Sequence, residues 1–148
     1  MIVRRISLAD QAEWLRLRLA LWPPASAAEH RAEMAEQLAD ENLFAVFVAE
    51  RGNGQLSGFL EASLRRYADG CSTSPVGYIE GWYVDDEVRR QGVGGQLVKA
   101  AEHWALARGC QEMASDCEID NEVSLKVHLA VGYAEVERLI HFQKSLLP

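Results

Sequence analysis

Short apolar runs alternate with amphipathic stretches along this chain, and the pattern predicts most of its elements. Ile2 to Ile6 reads as a first strand. Ser7 then caps a helix in which Leu8, Ala12, Leu15, Leu19 and Trp22 recur at steps of four and three, forming one apolar stripe. Pro23-Pro24 ends it. Ser26 and Glu29 have the spacing of a capping box, which predicts a second helix to about Leu38 or Ala39. Leu43 to Glu50 and Leu56 to Arg65 are apolar, β-prone runs, and the Asn53-Gly54 pair between them favours a hairpin turn. A polar loop, Tyr67 to Gly77, leads to a strand from Tyr78 to Val84. Beyond it the pattern predicts a helix from Gly92 to Arg108, a strand from Glu112 to Asp116 and a helix from Asn121 to Val131. A terminal hairpin of Tyr133 to Glu137 and Leu139 to Ser145 closes the chain. Strands alternating with helices imply parallel pairing in the middle, and the hairpins imply antiparallel edges. The predicted class is α+β with a mixed central β-sheet flanked by helices.

Composition narrows this to one soluble domain spanning residues 1–148. Of the 148 residues 49% are apolar, yet no continuous apolar run is long enough to span a bilayer. Met1-Ile2-Val3-Arg4-Arg5 leads directly into an amphipathic pattern, so no signal peptide is expected and the compartment is cytoplasmic. Cys71, Cys110 and Cys117 form no Cys-x-x-Cys pair, and an odd count argues against a disulfide framework. His30, His103, His128 and His141 are scattered without metal-ligand spacing, so no metal is expected. The net charge of −7, from 15 basic and 22 acidic residues, disfavours nucleic acid as a partner and favours cations. Solubility alone also explains an acidic balance.

The stretch from Glu80 to Gly95 changes the picture most, because it reads as a strand feeding through a basic, glycine-rich turn into a helix. The first N–H groups of a helix have no partner within it and carry the positive end of its dipole, so an anion satisfies both. Arg89 and Arg90 add charge, and Gly92, Gly94 and Gly95 let several N–H groups converge on one oxygen cluster. No Lys-Ser or Lys-Thr follows the glycines, and Leu97 stands where a dinucleotide fingerprint needs a small residue. The plain alternative is a turn whose glycines only permit tight packing.

Val84 followed by Arg89-x-x-Gly92-x-Gly94 resembles the acetyl-CoA pyrophosphate motif of the GCN5-related N-acetyltransferases (GNAT), Arg/Gln-x-x-Gly-x-Gly/Ala. Asn121, Ser124 and Gly132-Tyr133 resemble the family's downstream Asn-x-x-Ala/Ser and closing Gly-Phe/Tyr. Leu21-Trp22-Pro23, Arg66 to Cys71, Ser74-Pro75-Val76, Glu80-Gly81, Gly109 to Asp116 and Lys126-Val127-His128 together look like the aminoglycoside 6'-N-acetyltransferase type I branch. The resemblance implies a GNAT fold whose strands 78–84 and 112–116 splay apart to hold acetyl-CoA. It also implies transfer of acetyl to the 6'-amine of an aminoglycoside, a role in antibiotic resistance and a homodimer. Tyr83, Val84, Arg89, Arg90, Gln91, Gly92, Val93, Gly94 and Gly95 would hold acetyl-CoA, joined by Asn121 and His128.

Acetyl transfer to an amine needs a proton acceptor, donors for an oxyanion and an acid for the departing thiolate. Glu80 and Asp116 are the catalytic candidates, because carboxylates in otherwise apolar strands are rarely buried unless paired or functional. Both also match acidic substrate-site positions of the resembled branch; a salt bridge within the fold is the alternative. The oxyanion donor implied by the family is the backbone N–H of Val84 or its neighbour. Relatives commonly place a Tyr seven residues after the Asn, whereas this chain has His128 there. Asn121, Ser124 and His128 share one helical stripe, so His128 faces the sulfur or serves a structural role. Trp22 and Tyr67, with Asp69 near the latter, suit an acceptor pocket, since sugar rings stack on aromatic faces and acids neutralise amines. Core packing is the other reading of Trp22, and Trp14, Trp82 and Trp104 are assigned to packing. An acyl-CoA-binding module without turnover, and a GNAT acting on a polyamine or protein N-terminus, remain as alternatives.

Overall fold

The structure is a computed structural model and describes residues 1–148. The chain divides into two compact units, Met1–Asp116 and Cys117–Pro148, described in turn.

In the first unit β1 (Ile2–Arg5), β2 (Phe44–Glu50), β3 (Leu56–Arg65), β4 (Val76–Val84) and β5 (Met113–Ser115) form one sheet in sequence order. The first four strands pair antiparallel, and β5 pairs parallel with β4. The parallel pair therefore lies at an edge rather than in the middle of the sheet. Pairing of β5 runs only from Gly77↔Met113 to Ile79↔Ser115, and β4 continues to Val84 without it. The two strands part at Glu80, as the family resemblance implies.

Three helices cover this sheet. On one face lie α1 (Gln11–Leu21) and α2 (Ala27–Ala39), whose Trp14, Leu17 and Met34 pack with Val46, Val48, Leu56 and Phe59. α3 (Val93–Ala107) covers the other face, close enough to β4 that a Cβ on Gly77 would lie 2.8 Å from the Ala105 methyl. Ser26 caps α2 as its spacing predicts, its hydroxyl accepting from the Glu29 N–H at 3.1 Å.

The start of α1 differs from expectation. Residues Leu8–Asp10 form a 3-10 turn, because Asp10 turns back to accept the Ser7 N–H at 2.8 Å and is clamped by Arg4 at 2.7 and 2.9 Å. The Arg4 hydrogen bonds hold the Asp10 carboxyl down at about 2 against the opposing effect of burial. The buried face of α1 is Trp14, Leu17 and Arg18, not the stripe of Leu8, Ala12, Leu15 and Leu19; Leu8 is exposed and Leu15 only half-buried. A fully buried arginine in that face is what disguised it in the sequence.

The second unit contains α4 (Glu122–Ala130), capped by Asn121, whose side-chain oxygen accepts from the Ser124 N–H at 3.0 Å. The terminal hairpin expected over 133–145 is not formed: residues 133–148 have no regular hydrogen-bonded structure. Its apolar residues, Ile140, Phe142, Leu146 and Leu147, point into solvent and have no sheet face to bury against.

Candidate active site

The parting of β4 from β5 is reinforced by a bulge. Gly81 pairs with Glu61 and Ile79 with Ala62, so Glu80 is an extra residue between them. A bulge re-aims the side chain it carries, and Glu80 turns onto the face that also holds Gly81 and Tyr78. There its Oε2 accepts from the Ser63 hydroxyl, and Arg65 grips both oxygens, Nη2 to Oε1 at 2.7 Å and Nε to Oε2 at 3.0 Å. The Arg65 guanidinium carbon lies 3.5 Å from the centre of the Tyr78 ring. Tyr78 in turn donates its hydroxyl to Oδ2 of Asp116, just past the end of β5.

Glu80 and Asp116 are thus joined through Arg65 and Tyr78 in one chain of contacts beside the strand opening. The carboxylates were expected within apolar strands, but both residues are exposed and open to a ligand. Their environments differ. Glu80 hydrogen-bonds to Arg65, which raises the guanidinium further above its ordinary range. Asp116 is met by a phenol, whose own pKa is driven well up by burial and then by the carboxylate beside it. Ser63, Arg65 and Tyr78 were not found in the sequence. Antiparallel pairing of the two predicted strands would have set Ser63 opposite Tyr78, but nothing in the residue pattern reveals the bulge.

Trp22 lies at the C-terminal end of α1, half-buried, with its ring over Gly81, so close that a Cβ there would stand 2.3 Å from Cη2. Trp22 packs at the edge of the core, as its packing reading expects, and its ring lies over the residue next to Glu80. Tyr67 is 68% exposed in the loop after β3, and its hydroxyl donates to Asp69 at 2.9 Å.

The basic turn separates into distinct roles. Tyr83 and Val84 end β4; Arg89 donates from Nε to the Val84 carbonyl at 2.8 Å, pairs with Asp86 at 2.8 Å and stands 5.5 Å from the centre of the Tyr83 ring. Arg89 therefore braces the turn as well as adding charge. Arg90 and Gly92 both have left-handed backbones, φ 66° and 82°, and Gln91 between them is exposed, with Nε2 3.4 Å from the Glu87 carbonyl. Val93 begins α3 and is buried. The first helical hydrogen bond runs from the Gln96 N–H to the Gly92 carbonyl at 3.1 Å, so the N–H groups of Val93, Gly94 and Gly95 precede the ladder. A Cβ on Gly94 would press on Trp82 at 3.2 Å, whereas Cβ atoms on Gly92 and Gly95 would meet nothing. The turn is both a tightly packed corner and an open set of N–H groups suited to a phosphate oxygen.

In the second unit His128 donates from Nδ1 to the Ser124 carbonyl at 2.7 Å and meets Tyr133 edge-on at 6.1 Å between ring centres. That bond sets the orientation of the imidazole on α4. Cys110 is buried and its thiol is pushed up by desolvation; all three cysteines are free.

The acetyltransferase (GNAT) family profile matches residues 12–133. The chain belongs to this family. GNAT relatives of near-equal length are similar throughout: the aminoglycoside N(6')-acetyltransferase type 1 of Klebsiella aerogenes is 46% identical over 147 residues, covering 98% of this chain and 97% of its own. Among solved GNAT structures, the aminoglycoside antibiotic 6'-N-acetyltransferase from Acinetobacter haemolyticus superposes with a TM-score of 0.93 at 39% identity, with 99% of each chain covered. A second, AAC(6')-Iy in complex with the bisubstrate analogue CoA-S-monomethyl-acetylneamine, gives 0.92 at 38% identity, with 97% of each covered.

Proposed function

We propose that this GNAT protein transfers the acetyl group of acetyl-CoA to the 6'-amine of an aminoglycoside. The observation that carries the reading is the Glu80–Arg65–Tyr78–Asp116 chain, which sets two accessible carboxylates beside the opening between β4 and β5. Full-length relatives named as aminoglycoside N(6')-acetyltransferases, and a neighbour carrying a CoA–aminoglycoside bisubstrate analogue, support it.

The N–H groups of Val93, Gly94 and Gly95, with Arg89 and Arg90, fit a pyrophosphate, and the open space over Gly92 and Gly95 admits it. Tyr83, Val84 and Gln91 complete this donor site. When bound, acetyl-CoA supplies a thioester whose acetyl carbon takes the amine nitrogen, while the C–S bond breaks and CoA leaves as the thiol. Asp116 accepts the proton that the substrate ammonium must lose, directly or through water. Glu80 holds the ammonium as an ion partner, and Trp22 and Tyr67 offer aromatic surface to the sugar rings. The protein acts in the cytoplasm as a homodimer, and acetylating the drug would confer resistance.

Thiol release from acetyl-CoA, measured with kanamycin-type aminoglycosides, polyamines and N-terminal peptides, tests the reading. Turnover with aminoglycosides is expected. Turnover confined to polyamines or peptides would replace the acceptor, and none with any amine would leave a binding module.

A further inference from the structure

Arg18 is 1% exposed, and its partner Glu61 in β3 is 3% exposed. Withdrawing two charges from water is costly, and apolar side chains of similar volume commonly serve stability as well or better. The pair therefore needs a reason beyond stability. Arg18 Nη2 also pairs with Glu33, an exposed carboxylate on α2, and the rest of the guanidinium is turned toward Trp22. Arg18 Nη1 bonds Glu61, which also accepts from Trp14 Nε1 at 2.9 Å and Gln37 Nε2 at 2.8 Å, fixing the carboxylate in place. From this anchor the Arg18 guanidinium reaches over the Trp22 ring, 4.8 Å from its centre. Its Nε donates to Nδ1 of His30 at 3.1 Å, so that nitrogen carries no proton, and Nε2 donates to the Trp22 carbonyl at 3.1 Å. The imidazole is 1% exposed and stacks beside the indole, 6.3 Å between centres at 21°. Phe59 meets the ring edge-on at 6.1 Å.

We propose that Arg18 and His30 are positioning residues that mount Trp22 over the bare backbone of Gly81, setting the distance between this aromatic wall and Glu80 and so selecting the acceptor. Gly81 is the other half of the device. It lies next to the Glu80 bulge, and only a residue without a Cβ lets the indole come so near. A ring fixed in this way meets an amino sugar without first being ordered, which favours acceptors whose flat face fits the gap.

The inference rests on the proposed acceptor site, and its test is separable from that reading because it uses whichever amine the wild-type protein acetylates. The variants are His30→Leu, His30→Gln, Arg18→Met and Gly81→Ala, each checked for folding by circular dichroism and thermal melting. His30→Leu and Gly81→Ala are expected to raise the acceptor KM about tenfold, an effect the size of one lost oriented contact, with the acetyl-CoA KM unchanged. His30→Gln, which keeps a donor toward the Trp22 carbonyl, is expected to restore much of the loss. Arg18→Met leaves the buried Glu61 carboxylate without its cation and is expected to lower thermal stability while the acceptor KM rises. Equal changes in both KM values, or an unchanged acceptor KM in folded His30→Leu and Gly81→Ala, would overturn the proposal. Should the buried variants fail to fold, Trp22→Phe at the surface of the mount decides. It must raise the acceptor KM and weaken the preference among the amines that the wild-type protein acetylates, and full wild-type selectivity would refute the role.

Discussion

At Glu80 the carboxylate already has a cation, because the Arg65 fork occupies both oxygens, and an incoming ammonium must share or displace it. Asp116 has only a neutral phenol as its donor. Glu80 is bonded to a cation and Asp116 to a phenol, so the two acids are unequal in spite of their similar chemistry. Asp116→Asn should lower kcat/KM for the acceptor by about 10²-fold or more, in the range of a lost general base, and Glu80→Gln by roughly tenfold. Steady-state thiol release at saturating acetyl-CoA checks the ranking, and the reverse order would exchange the roles. Tyr78 bears on the pH profile with a definite sign. Its phenol lies well above its ordinary 10.0, so it remains a protonated donor throughout the working range of the enzyme. Tyr78→Phe should therefore lower the rate without moving either limb of the profile below pH 10.

The glycines of the α3 start illustrate how one motif is divided among several physical tasks. Gly94 lies under Trp82, Gly92 supplies a left-handed turn, and Gly95 neither packs nor adopts a positive φ. Inside a helix such a glycine is a liability of roughly 0.5–1 kcal/mol relative to alanine. An N–H left open to an anion, as the proposed acetyl-CoA site requires, would account for it. Gly95→Ala should leave the fold as stable or up to about 1 kcal/mol more so, yet raise the KM for acetyl-CoA while the acceptor KM stays constant. A variant with unaltered acetyl-CoA KM would make Gly95 a packing residue. This turn, most strand limits and the α2 cap were legible in the sequence, because periodicity, glycine spacing and capping are local signals. The buried face of α1 was not. Arg18 belongs to the buried face, where the expected stripe relied on Leu15 and Leu19, and its burial depends on Glu61, which is 43 positions away. The same limit hid Ser63, Arg65 and Tyr78, since their meeting depends on a bulge that only the paired strands reveal.

On the scale of the whole molecule, the largest departure is the missing terminal hairpin. Its residues have the alternation and β-branched content of strands, but two strands alone are marginal in water and need a third or a covering face. In this chain Ile140 is 81% exposed, Phe142 91%, Leu146 89% and Leu147 83%. Exposed apolar residues clustered in one stretch suit coverage by a partner, and the homodimer proposed above would supply it. The strand tendency of this segment was legible in the sequence, but what a strand there would pair with is not a local signal. If the segment completes a homodimer, light scattering should give twice the 16.5 kDa chain mass, and the dimer should persist on dilution to micromolar protein. Paired substitution of Ile140 and Phe142 by Asp should then yield monomer with lowered thermal stability. The burial lost is on the order of 3–6 kcal/mol for two large apolar side chains per protomer, enough to dissociate an assembly of moderate affinity. A wild-type protein of single-chain mass across that range, or a double variant that remains dimeric, would assign the segment to something other than self-association.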